Sequence, residues 1–146
     1  MKLKARDIFF AHQAQTTARP IGLEVKKARG SYIIDKDNKK YLDFVAGVSA
    51  CTLGHSHPKV IRAVRRQMRK YLHVMVYGEF VQDEPVQLVK LLADQLPEKL
   101  SCIYLTNSGT EGIEGALKLA KRATGRQRII SANNAYHGNT QGAMSV

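Results

Sequence analysis

The feature that most constrains this chain is an apolar run, Cys102-Ile103-Tyr104-Leu105-Thr106, that breaks at Asn107-Ser108-Gly109-Thr110 and passes at once into a helical pattern. A buried strand turning directly into a helix is the repeating unit of parallel α/β sheets. The helix should run from about Glu111 to Ala123, with Ile113, Ala116, Leu117 and Ala120 on one stripe and Gly125 as its stop. Arg128-Ile129-Ile130-Ser131 then reads as a second buried strand. Upstream, a helix is expected from about Glu84 to Leu96, with Pro85 in its first turn, Leu88, Leu91 and Leu92 as its apolar stripe, and Pro97 ending it. The order helix, strand, helix, strand over residues 84–131 predicts an α/β fold with a mainly parallel sheet covered by helices. Two strands are too few for such a sheet, so the expectation is an incomplete domain.

The N-terminal third has a different texture. Glu24 to Gly30, then Ser31-Tyr32-Ile33-Ile34-Asp35, then Lys40-Tyr41-Leu42-Asp43-Phe44 alternate in the manner of strands, with Asp37-Asn38 as a turn. These predict a small antiparallel sheet. Gly47 to Pro58, with Gly54, His55 and His57, reads as a loop, and Pro58 is suited to open the next helix. In that helix Val60, Ile61, Val64, Met68, Tyr71 and Leu72 recur at helical spacing, while Arg62, Arg65, Arg66, Arg69 and Lys70 fill the opposite face.

Composition narrows the function classes. The 146 residues are 44% hydrophobic, enough for one core of ordinary domain size. The charged start and the short run Ile8-Phe9-Phe10-Ala11 lack the apolar length of a signal peptide, and no stretch approaches the roughly 20 residues of a membrane span. A soluble, cytoplasmic protein is expected, without membrane partners. Cys51 and Cys102 match no metal or redox spacing and read as free thiols. The net charge of +11 attracts anions without choosing among them.

The turn at Ser108-Gly109-Thr110 has two readings of equal weight on local chemistry. A helix N-terminus offers unpaired N–H groups and the positive end of the macrodipole, Gly109 permits close approach, and the Ser108 and Thr110 hydroxyls can donate, so it suits a phosphate. The same residues also make an ordinary N-cap, with Glu111 at the favourable end of the helix. No Gly-Lys-Ser/Thr follows, so it is not a Walker loop.

Neighbouring residues favour the first reading. Asn107-Ser108-Gly109-Thr110-Glu111, Glu114-Gly115-Ala116-Leu117-Lys118-Leu119-Ala120, Thr124-Gly125-Arg126 and Ala135-Tyr136-His137-Gly138-Asn139-Thr140 together resemble class III aminotransferases of fold type I. Gly30, Asp35, Asp37, Tyr41 to Phe44 with Gly47, and Leu53-Gly54-His55-Ser56-His57-Pro58 are similar to the same family in the same order, so the resemblance runs from about residue 20 to the end. It implies pyridoxal 5′-phosphate as cofactor and an amino donor and a 2-oxo acid as substrates. A homodimer would carry the active sites at its subunit interface. The cofactor-binding residues it implies are Ser108, Gly109 and Thr110 at the phosphate, Tyr136 stacked on the ring and His137 shaping the pocket. Val48-Ser49 and Tyr77-Gly78 would lie near the substrate entrance. It divides the chain into residues 1–57, an N-terminal segment with the small sheet, and 58–146, the truncated first part of the large cofactor domain. Gly112 stands where the family usually has alanine. The family's Schiff-base lysine and its aspartate at the pyridine nitrogen both lie well downstream of the aromatic-His-Gly segment, so no catalytic residue is expected within this chain, and by itself it should not transaminate. Lys118 and Lys121 fall on a helix leading away from the cofactor and do not replace the lysine.

Rival readings are weaker. His55-x-His57 lacks a Cys or carboxylate at ligand spacing and reads as structural, so no metal is expected. The basic face of residues 59–72 is compatible with an anion- or nucleic-acid-binding module, or with a non-catalytic fragment. Without interleaved aromatics or a nucleic-acid motif, a solvated face is the favoured reading, with no nucleic-acid partner.

Overall fold

A computed structural model describes residues 4–75 and 78–146. By its contacts the chain divides into two units, Met1–Val74 and Met75–Val146. The basic helix that the sequence reading placed with the second part falls in the first unit.

The first unit opens with a helix, α1 (Ala5–His12), where the sequence suggested only a short apolar run. Arg6 anchors it by donating to the Gly22 carbonyl at 2.8 Å and by lying 5.3 Å from the Phe10 ring centre. The expected antiparallel sheet follows as β1 (Val25–Arg29), β2 (Tyr32–Asp35) and β3 (Lys40–Leu42), in that spatial order. Its register pairs Ala28 with Ile33 and Ile33 with Tyr41, with an irregularity between Val25 and Lys27.

Two aspartates organise the connections. Asp35 Oδ1 accepts the N–H groups of Asp37 and Lys39, both at 2.9 Å, and Oδ2 accepts the Tyr41 hydroxyl at 2.8 Å. This closes the β2–β3 turn, in which Asn38 takes the left-handed conformation that asparagine tolerates. Asp43 accepts the N–H groups of Val45 and Ala46 with Oδ1 and the His55 ring N–H, 2.7 Å away, with Oδ2. Reciprocal backbone bonds between Gly30 and His55, 2.9 and 2.8 Å, fold the glycine-rich loop back on the β1–β2 turn. Helix α2 (Pro58–Met68) starts at Pro58 as expected. It ends before Tyr71 and Leu72, because the N–H of Arg69 turns to the carbonyls of Arg66 and Gln67 and tightens the last turn.

In the second unit α3 (Asp83–Ala93) carries Asp83 and Glu84 at its positive end, and Lys90 pairs with Asp94 one turn on. After a short 3₁₀ turn at Glu98–Leu100 comes α4 (Gly109–Thr124), closed by Gly125 at φ 68° with its N–H on the Lys121 carbonyl. A final short helix, α5, spans Gln141–Met144. The strands expected at 102–106 and 128–131 do not form among the described residues. A strand exists through the ladder it shares with a neighbour. Here Tyr104 is 81% and Ile130 98% exposed, and no described strand lies alongside them.

The apolar stripes are likewise uncovered: Val64 and Met68 on α2 and Leu91 on α3 are all more than half exposed, and Ala143 is the one buried hydrophobic residue among those described. The accessible surface is 13457 Å², where a folded monomer of 16.3 kDa presents about 7,500 Å².

Local stability in the first unit should therefore follow its carboxylates. Burial pushes the Asp35 carboxyl up, but the Tyr41 hydroxyl, the Lys39 and Asp37 amides and the Lys39 charge outweigh it and leave it below its ordinary value of 3.8. The His55 ring, then the Ala46 amide, hold Asp43 down in the same way. A depressed folded-state pKa stabilises above the unfolded value and is lost as pH falls through the folded one. The β2–β3 turn and the loop at 43–55 should stay protected in amide exchange between pH 7 and 5 and open below about pH 4, the ordinary aspartate range. Asp35→Asn should abolish the acid transition at the turn and leave that of the Asp43 loop.

Candidate functional site

The site is built on the first turns of α4. Ser108 is extended, at φ −150° and ψ 159°, and its Oγ accepts the Glu111 N–H at 3.3 Å. Glu111 reaches back to accept the Asn107 N–H at 2.8 Å. This is a capping box displaced by one residue. The N-cap reading of the sequence is thus realised, and it does not displace the other. Capping uses the N–H of Glu111, while among the described residues no partner takes the N–H of Gly109 or Thr110. Beyond its chain neighbours and the backbone of its own helix, no heavy atom of the described residues lies within 4 Å of where a Gly109 Cβ would stand. Two free amides at the positive end of a 16-residue helix, with open space before them, suit a phosphate.

The Thr110 hydroxyl has another use. It lies 2.8 Å from the Thr140 hydroxyl, and either oxygen can be the donor. Among the described residues the Thr110 hydroxyl is thus engaged with Thr140, while the Thr110 backbone N–H has no partner.

The aromatic-His-Gly segment is brought against this turn. Gly138 has φ +125°, and a Cβ there would lie 2.3 Å from Thr110 Oγ1 and 2.4 Å from Thr110 Cβ. Only glycine lets the two main chains approach this closely. Next to it, His137 is half-buried. Tyr136 is 78% exposed, with its hydroxyl donating to Asn139 Oδ1 at 2.9 Å, which leaves the ring available for stacking. Ser108, Gly109 and Thr110 thus share one turn, and the strand of chain carrying Tyr136 and His137 touches it at Gly138. These residues fit a phosphorylated aromatic cofactor.

Glu114, Thr140 and Gly138 were not singled out as site residues from the sequence. The signal for Glu114 was its spacing: four residues after Thr110, it shares that residue's helix face. Thr140 is separated from both by about thirty residues, and no local pattern links them. Of the other residues considered, Val48 and Ser49 lie in the first unit with positive φ, 55° and 66°, and Tyr77 lies outside the described residues. His55 is taken by Asp43, and among the described residues no three His, Cys, Asp or Glu side chains gather as a metal site. No described helix is long and apolar enough to cross a membrane.

Comparison with known proteins decides the family. The class-III aminotransferase family model matches residues 13–146. The chain belongs to the class III aminotransferases. It is 36% identical over 137 residues to the acetylornithine aminotransferase of Bacillus anthracis, an alignment covering 93% of this chain and 34% of that protein. It is 34% identical over 146 residues to the acetylornithine aminotransferase of Methanopyrus kandleri, covering 99% of this chain and 36% of the relative. Among solved structures, the adenosylmethionine-8-amino-7-oxononanoate aminotransferase of Methanocaldococcus jannaschii superposes with a TM-score of 0.81 at 28% identity, over 97% of this chain and 35% of that one. The fold is that of the N-terminal part of a fold type I, pyridoxal-phosphate-dependent transaminase. The chain spans about a third of the length of the curated relatives it matches.

Two glycines of this class III chain should respond in opposite directions. At Gly112, inside α4, a Cβ would stand 3.7 Å from Thr106 Oγ1, an ordinary contact. Gly112→Ala should stabilise the helix by about 0.5–1 kcal/mol, read from denaturant unfolding. Gly138→Ala meets both a positive φ and Thr110, so strain of about 1–3 kcal/mol should separate the segments and raise the exchange of the Tyr136–Asn139 amides.

Proposed function

We propose that this chain supplies the phosphate- and ring-binding part of a transaminase that moves an amino group from an amino acid or amine to a 2-oxo acid. The observation that carries the reading is the pair of amides at Gly109 and Thr110 that have no partner among the described residues, with the chain of Tyr136 and His137 packed on the same turn. Bound there, pyridoxal phosphate would supply the electron sink that makes the proton next to the amino nitrogen removable. In this reading residues 58–146 are the first part of the cofactor domain. The Gly109 and Thr110 N–H groups and the Ser108 hydroxyl hold the phosphate, the Tyr136 ring covers one face of the pyridine, and His137 shapes the wall beside it. Proton transfer and covalent attachment belong to residues outside this set. We further infer a homodimer acting in the cytoplasm. The support for self-association is the uncovered apolar surface together with the family's habit of building its active sites between subunits.

The test removes one amide without disturbing the helix. Gly109 is the first helical residue, and Ser108 before it is already in the extended conformation that proline demands of its predecessor. Gly109→Pro should therefore keep α4 and delete a single donor to the phosphate. Pyridoxamine 5′-phosphate is the suitable probe, because it forms no Schiff base with surface lysines. Its fluorescence titration should show binding that inorganic phosphate competes away, and Gly109→Pro should weaken it about tenfold or more, the worth of one charge-assisted hydrogen bond. Binding should also be tighter at pH 7.5 than at pH 5.5, since the second phosphate ionisation lies near pH ~6. Equal affinity for pyridoxamine lacking the phosphate would refute the site.

A further inference from the structure

We propose that Glu114 is a positioning residue: by clamping residues 138–143 onto α4, it fixes where Tyr136 stands relative to the phosphate turn. This rests on the cofactor reading above. The side chain is half-buried one turn after Thr110. Its Oε1 accepts the N–H of Gly142 at 2.8 Å and of Ala143 at 3.2 Å. The carboxylate lies so close under the backbone that a Cβ at Gly142 would come within 2.4 Å of Oε2. A four-residue helix such as α5 does not hold itself, because nucleation costs more than so few bonds return. Its first free amides need this acceptor, and the only buried hydrophobic side chain among the described residues, Ala143, packs at the same point.

The same segment is tied to α4 a second time, where the Thr140 hydroxyl meets that of Thr110 at 2.8 Å. The Thr140 hydroxyl first, then the two amides and the Lys118 charge, keep Glu114 ionised below the ordinary glutamate range against the opposing cost of burial. The clamp thus stays charged throughout the neutral range. Nothing in it touches the Gly109 or Thr110 amides themselves. Loss of Glu114 should accordingly impair ring placement and spare phosphate binding.

Three variants of the full 146-residue chain test this. In Glu114→Ala, hydrogen exchange should quicken at Gly142, Ala143 and residues 136–140. The dissociation constant for pyridoxamine 5′-phosphate should rise about tenfold and the induced circular dichroism of its ring should fade. The affinity for inorganic phosphate should stay within about twofold, because its amide donors remain. Glu114→Gln keeps a carbonyl oxygen as acceptor and should restore most of the dichroism. Thr140→Val, which removes the bond between the Thr140 and Thr110 hydroxyls, reads the same attachment of 138–143 to α4 if Glu114→Ala does not fold, and it should lose dichroism while holding inorganic phosphate. Unchanged exchange and dichroism in these variants, or ring and phosphate binding falling together without rescue by Gln, overturns the proposal. A wild-type chain that binds neither probe sinks the cofactor reading alone, and the exchange at Gly142 and Ala143 still decides the clamp.

Discussion

The candidate site depends on the contact between the main chain at Gly138 and the side of Thr110, where there is no room for a Cβ. Two segments about thirty residues apart can meet this closely only if one gives up its side chain and the polar groups trapped between them all find partners. The chain meets the second condition by pairing the Thr110 and Thr140 hydroxyls with each other and by giving the amides of Gly142 and Ala143 to the Glu114 carboxylate. Among the described residues the amides of Gly109 and Thr110 have no partner, and they stand at the positive end of the helix. Capping and anion binding are therefore not competitors here. The N-cap consumes the amide of Glu111, and the anion would take the two before it.

Outside this cluster the structure is held by local hydrogen bonds and little packing. In the first unit two aspartates do what a core does elsewhere, tying turns and loops through several donors each. The helices are amphipathic, yet their apolar faces are open, and the apolar segments flanking α4 have no strand beside them. Hydrophobic burial is the main favourable contribution to folding, so these faces call for further surface from elsewhere. The relatives are about three times as long and align with this chain over about a third of their length.

Much of this was legible from sequence. The small antiparallel sheet, α2 beginning at Pro58, α3, and α4 with its Ser108 cap and its stop at Gly125 all follow from short-range rules: alternation, helical spacing, a proline, a glycine. The strands at 102–106 and 128–131 were misjudged for the opposite reason. Their composition is that of buried strands, but a strand is made by its neighbour, and composition does not report whether one is present. Helix α1 was missed because eight residues with a modest apolar face carry little periodic signal, and its anchor, the Gly22 carbonyl, lies 16 residues from Arg6.

What the sequence determined by itself was the list of parts and the family. Strand, helix and turn propensities act over a few residues, and the ordered motifs around Ser108-Gly109-Thr110 and Tyr136-His137-Gly138 name the class III aminotransferases. What only the tertiary structure decided was which atoms remain free to act: that the Thr110 hydroxyl is spent on Thr140 while its amide is not, that His55 serves Asp43, and that Glu114 binds the end of the chain to the start of α4. These are pairings between distant residues. Each depends on the distance and direction of a particular donor, which residue order alone does not specify.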